Sequence, residues 1–134
     1  APSPVSSEAV DWNEGLLTWM DYEKAIARAK ESGKPILFIL YANWCPICHA
    51  YQRIFHDNRI VKASSRVILA RANVDQRPDL SRSLDIDGAY VPRTFLLDSG
   101  GHIMESAFSK QDSPRHFLQP DDIFGFLRLM NAVK

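Results

Sequence analysis

Five apolar residues in unbroken succession, Ile36-Leu37-Phe38-Ile39-Leu40, run directly into the two cysteines of the chain, Cys45 and Cys48. A continuous apolar run of strand length reads as a central strand buried on both faces, the kind found in sheets covered by helices. Beyond it, Cys48, Tyr51, Ile54 and Phe55 fall on one helical face, and His49, Gln52, Arg53 and His56 on the other. The cysteines therefore stand at a strand-to-helix junction.

The rest of the chain repeats that alternation. Leu16–Trp19 reads as a short strand. Asp21 is a candidate N-cap for a helix carrying Tyr22, Ala25, Ile26 and Ala29 on one face and ending at Gly33. After the cysteine helix, "HDN" reads as its end, with Asn58 as a left-handed cap. "RVILARANV" is a second buried strand, and "RPDLSRSLDI" a short helix with Pro78 in its first turn. "RTFLLD" and "HIMESAF" flank "SGG" as a hairpin. "SKQDSPRHFLQP" reads as a polar loop. Asp121 or Asp122 caps a last helix with Ile123, Phe126, Leu127, Met130 and Val133 inward. Strands and helices in this order predict an α/β fold: a mixed sheet with helices on both faces and an antiparallel last pair of strands.

At 134 residues the chain suits one domain that buries its own core. The expected division is a flexible lead-in over 1–12, rich in Pro and Ser, and a single domain over 13–134. Sixteen basic residues balance sixteen acidic ones, so no overall field favours nucleic acid or an acidic membrane. The longest apolar run is too short to span a bilayer. The chain starts "APSPVSSEAVDW" without Met, which reads as a mature end left after removal of a signal peptide, and predicts export.

Three chemistries compete for a Cys-Pro-Ile-Cys pair. As a disulfide staple it closes a tiny loop and constrains the unfolded chain little. As half of a zinc site it needs two further ligands. The remaining candidates, His49, His56, His102 and His116, show no His-x₃₋₅-His spacing. The third chemistry is thiol–disulfide exchange, which needs a thiolate, an accessible sulfur and a second thiol close behind it. A helix N-terminus favours the thiolate of Cys45, and Cys48, one turn on, faces inward to attack a mixed disulfide. That reading is preferred, with no metal and no cofactor beyond the cysteines.

The segments "WCPIC", "NVDQRP" and "YVPRTFLLDSGG", in that order, resemble the thioredoxin superfamily over roughly residues 18 to 134. Within it the chain is similar to small single-domain thioredoxin-like proteins of the endoplasmic reticulum, including the anterior gradient group, and to their exported bacterial relatives. The shared features are the entry "TWMDYEKAIARAKESGKPILFIL", the Tyr-Val-Pro-Arg segment and a polar insertion before the final helix. The resemblance implies a thioredoxin-like fold. It implies that Pro92 is cis and faces Cys45 and Cys48, and that Val91 offers its backbone to a substrate strand. It implies a thiol–disulfide oxidoreductase with Cys45 as nucleophile, Cys48 as resolving thiol, and Val91 and Pro92 shaping the peptide-binding lip. Trp44, Pro46 and Ile47 are further candidates for the substrate surface, Trp44 reading equally as a cover for the junction. Its partners would be cysteine-containing protein substrates and a redox partner protein, and the protein a monomer. The rival reading is a non-catalytic module that holds a client in the same groove. Ile39 stands where many thioredoxins carry a buried acid, so proton transfer at Cys48 must use another group or water. The chain ends "NAVK" rather than in a retention signal, which favours a bacterial periplasm over the lumen of the reticulum. Arg93 reads as a surface residue, or else as a neighbour that tunes the site; Asp75 and Asp79 read as caps and turn formers, and Trp12 and Trp19 as packing residues.

Overall fold

The structure is a computed structural model that describes residues 12–85, 88–104, 116 and 118–131. A short strand, β1 (Trp19–Met20), leads into helix α1 (Tyr22–Ser32). Asp21 caps α1 by accepting the Lys24 N–H at 2.8 Å. Gly33 closes it in the left-handed region at φ 75°, where a Cβ would be strained. Strand β2 (Ile36–Tyr41) follows, then helix α2 (Pro46–Ile54), helix α3 (Asn58–Ala63), strand β3 (Ile68–Asn73), helix α4 (Pro78–Ser83), strand β4 (Arg93–Leu97) and helix α5 (Ile123–Met130).

The strands form one sheet in the order β1-β3-β2-β4. β1 and β2 both run parallel to β3, and β4 runs antiparallel to β2, pairing Leu40 with Arg93 and Ile36 with Leu97. β2 is thus central, and Ile36 to Leu40 are all fully buried. At roughly 1.5–3 kcal/mol per buried aliphatic or aromatic side chain, this strand alone contributes on the order of 10 kcal/mol before entropy is counted. Its alternation divides the core. Leu37 and Ile39 pack with Tyr51 of α2, Phe55 at its C-cap, Ile60 of α3 and Phe126 of α5. Ile36, Phe38 and Leu40 pack with Ala25 and Ala29 of α1 and Leu80 of α4. Helices therefore cover both faces of a mixed sheet, as the sequence predicts.

Several local expectations shift. The first strand is displaced to Trp19–Met20, because Asn13, at φ 66°, accepts the N–H groups of Leu16 and Leu17 and folds that stretch into a turn. Asn58 is not a left-handed cap. Asp57 accepts the Arg59 N–H at 2.8 Å and starts α3, a helix the sequence reading missed because no glycine or proline separates it from α2. Trp12, placed at the end of the lead-in, is fully buried beside Trp19, Tyr41 and Phe55. Residues 1–11 lie outside the described residues. The hairpin after β4 is present through the Leu97–Ile103 bridge, with Asp98 accepting from Gly100 and His102. Residues 105–108 and Val133 fall outside the description, as does most of the polar loop. The loop's His116 and Leu118 are buried rather than solvated. Among the described residues no helix is long and apolar enough to cross a membrane.

Candidate active site

Cys45 is the N-cap of α2. It holds extended backbone angles, its carbonyl accepts the His49 N–H, and Pro46 occupies the first helical turn. An N-cap side chain accepts from the free N–H groups of the first turn, a role usually filled by oxygen. Here sulfur fills it: the Cys48 N–H donates to Cys45 Sγ at 3.2 Å. The same geometry that begins the helix therefore points a backbone dipole at the first sulfur, which stabilises negative charge there. Neither cysteine is in a disulfide, and both are buried.

Cys48, only 1 % exposed, is packed with Ala42 and Cys45 beneath Tyr41, Val74 and Val91. Burial, and then the neighbouring Cys45 side chain, push its thiol well above the ordinary thiol range. Cys48 is thus held as a neutral thiol. Ile39, fully buried on the same strand that leads to the motif, offers no acid or base to take its proton.

Across from the pair lies the segment before β4. The Val91–Pro92 peptide bond is cis. The Cys45 thiol donates to the Val91 carbonyl at 3.8 Å, a long contact. Cys45 is consequently only 4 % exposed, less open than the sequence reading assumed. Pro92 is buried and Val91 half-buried, whereas Trp44 and Ile47 are 66 % and 40 % exposed, and Pro46 is exposed beside them. Val91 thus meets the two sulfurs and Pro92 follows it in the chain, while Trp44, Pro46 and Ile47 flank the cysteines at the start of α2.

One neighbour that the sequence assigns only to a turn contacts the site. The Trp44 indole N–H donates to the Asp75 carboxylate at 2.8 Å, so Asp75 steers the exposed ring as well as forming a turn. Arg93, expected on the surface, is fully buried. His49, the nearest imidazole in sequence, contacts the Asn43 carbonyl at 2.5 Å. Among the described residues, no group of three or more His, Cys, Asp or Glu is arranged to hold a metal ion. A hollow of about 680 Å³ lies away from the cysteines, between the end of α1 and the start of β3, and includes none of these residues.

A sheet of this order, with a vicinal thiol pair at the N-terminus of the helix after its central strand and a cis-proline opposite, defines a thioredoxin-like domain. A sequence model described as thioredoxin-like matches residues 18–99, and the chain belongs to that family. It is 24% identical over 111 residues to the anterior gradient protein 2 homolog of Homo sapiens, an alignment covering 83% of this chain and 62% of that protein. The chain thus spans less than two thirds of that relative's length. Among solved structures, a thioredoxin from Thermus thermophilus superposes with TM-score 0.65 at 19% identity, covering 87% of this chain and 86% of the other. The disulphide isomerase from Xylella fastidiosa Temecula1 gives TM-score 0.53 at 24% identity, covering 65% and 76%.

Proposed function

We propose that the chain is a thiol–disulfide oxidoreductase acting on protein cysteines. The observation that carries this reading is the Cys48 N–H donating to Cys45 Sγ at 3.2 Å, with Cys48 Sγ buried behind it. Cys45, as thiolate, attacks one sulfur of a client disulfide. A Cys45–client disulfide forms, and the client's second sulfur leaves as thiolate. Cys48 then gives up its proton and attacks Cys45 Sγ, the mixed disulfide breaks, and the client's first sulfur leaves as thiolate. Two electrons pass from the pair to the client, and a Cys45–Cys48 disulfide results. Run in reverse, the same steps oxidise a client dithiol.

Trp44, Pro46 and Ile47 supply an apolar rim for the client chain, while Val91 and Pro92 form the backbone lip opposite. The protein acts as a monomer that also meets a redox partner protein, needing no cofactor beyond its cysteines. Thiol exchange with protein disulfides suits an oxidising compartment. Similarity to anterior gradient proteins is in keeping with an exported protein, in the bacterial periplasm or, as the alternative, the lumen of the endoplasmic reticulum.

The test is insulin reduction, with trapping. Cys45→Ser should abolish turnover. Cys48→Ser should accumulate a mixed disulfide with the client that runs as a shifted band on a non-reducing gel. Normal turnover by Cys48→Ser, or mixed-disulfide formation by Cys45→Ser through Cys48, would reverse the assigned roles. Absence of turnover in the unmodified protein, with client binding retained in Cys45→Ser, would leave the holding module as the reading.

A further inference from the structure

The lip that covers Cys45 is held by a buried cation. Arg93 is the first residue of β4 and directly follows Pro92, yet its side chain is fully buried. One terminal nitrogen of its guanidinium donates to the carbonyls of Ser81 at 3.0 Å, Leu84 at 3.2 Å and Gly88 at 3.4 Å. The other donates to Ser81 Oγ at 2.6 Å. The Ser81 and Leu84 carbonyls lie at the C-terminal end of α4, where helix carbonyls lack intrahelical partners and favour positive charge. Gly88 begins the described stretch that carries Tyr90, Val91 and Pro92. The guanidinium also lies 5.9 Å from the Tyr90 ring centroid, and the Tyr90 hydroxyl accepts the His116 N–H at 3.0 Å. The His116 carbonyl in turn accepts the Thr94 N–H at 2.8 Å. The cation thus joins the end of α4, the approach to the lip and the start of β4.

A buried charge is tolerated only with several hydrogen-bonded partners, and removing it leaves those partners exposed to the same penalty. A guanidinium suits this place because its planar fork reaches several acceptors at once, which a single ammonium does not. Val91 meets the site through its carbonyl, at 3.8 Å from Cys45 Sγ, and packs against the cluster of Ala42, Cys45 and Cys48.

We propose that Arg93 is a positioning residue for the reaction at Cys45. It sets the height of the Val91–Pro92 lip above the sulfur and so decides both how open Cys45 is and how a client's extended backbone docks. The proposal rests on the thiol-exchange reading of Cys45 for its second consequence only; the first concerns access alone.

The experiment compares the reduced protein with Arg93→Met, Arg93→Lys and Ser81→Ala. Alkylation by iodoacetamide is followed separately at Cys45 and Cys48 by peptide mass spectrometry, and insulin reduction is resolved into KM and kcat. For Arg93→Met, Cys45 labelling should rise several-fold while Cys48 stays protected. KM should rise by about tenfold with kcat changed far less, the signature of lost docking. Arg93→Lys should lie between Arg93→Met and the unmodified protein. Ser81→Ala, which removes only one acceptor, should move both readouts the same way by about twofold, and it decides the matter if Arg93→Met does not fold. Unchanged Cys45 labelling and KM in folded variants would overturn the proposal. So would equal gains in labelling at both cysteines, which would show that Arg93 serves only the fold. If the unmodified protein does not reduce insulin, the oxidoreductase reading fails while the labelling arm still decides the role of Arg93.

Discussion

Burial of Cys48 has a thermodynamic consequence that can be measured without any client. Its thiol is pushed above the ordinary range by desolvation, so the folded protein resists forming this thiolate while the unfolded chain does not. A folded value above the unfolded one gives stability that is complete below the unfolded value, about pH 8.5, and lost as pH rises past it. The loss follows from linkage: at pH 9.5 the unfolded chain gains about RT ln 11, or roughly 1.4 kcal/mol, and at pH 10 about 2 kcal/mol. The clean comparison is Cys45→Ala against Cys45→Ala/Cys48→Ala, which removes disulfide formation from both. Urea unfolding at pH 7.5, 8.5, 9.5 and 10 should show the single variant losing about 1.4 kcal/mol more than the double variant by pH 9.5. The comparison stops near pH 10 because Tyr41 and Tyr51, both raised by burial, bring their own losses above the unfolded tyrosine value. Parallel pH profiles would refute the reasoning: Cys48 would then ionise as easily folded as unfolded. The kinetic counterpart is that release of a trapped client, which needs the Cys48 thiolate, should speed up as pH rises from 7 to 9.

Other outcomes follow from single contacts. Tyr51→Phe keeps the buried ring against Phe126 but strips the Leu118 N–H and carbonyl of their hydroxyl partner; urea unfolding should show a loss of about 1–3 kcal/mol. A loss under about 0.5 kcal/mol would mean that water replaces the hydroxyl. Asp75→Ala removes the acceptor of the Trp44 indole, so the fluorescence anisotropy of that exposed ring should fall and KM for insulin should rise with little change in stability. Unchanged anisotropy would show that packing alone fixes the ring. Glu14→Gln breaks an exposed ion pair with Arg71 and should cost under about 1 kcal/mol in the same unfolding assay. Equilibration with glutathione should give a potential less negative than the roughly −270 mV of thioredoxin, because the Cys48 N–H stabilises negative charge on Cys45 and Ile39 places no acid beneath the pair. A value at or below that figure would contradict this account.

The sequence by itself determined the features written in short-range pattern. The unbroken run Ile36–Leu40 could satisfy its apolar side chains only between two layers, and it is the central strand. Asp21 and Gly33 bracket α1 because their side-chain and backbone preferences act within four residues. Cys45 and Cys48 sit at a helix start because the periodicity of Cys48, Tyr51, Ile54 and Phe55 begins there. Only the tertiary structure decided what depends on partners distant in the chain. The Val91 carbonyl reaches Cys45 across 46 positions, and Asp75 reaches the Trp44 indole across 31. Arg93 looks like a surface residue to any local reading, since long cations are rarely buried. Its burial depends on the ends of α4 and the approach to β4 presenting carbonyls to one point, which no periodicity encodes. Trp12, His116 and Leu118 were likewise hidden in polar-looking stretches and are buried only because the finished core offers them a place. Local pattern records the conformational preference of a segment, whereas burial and hydrogen-bond partners depend on which segments the packed sheet brings together.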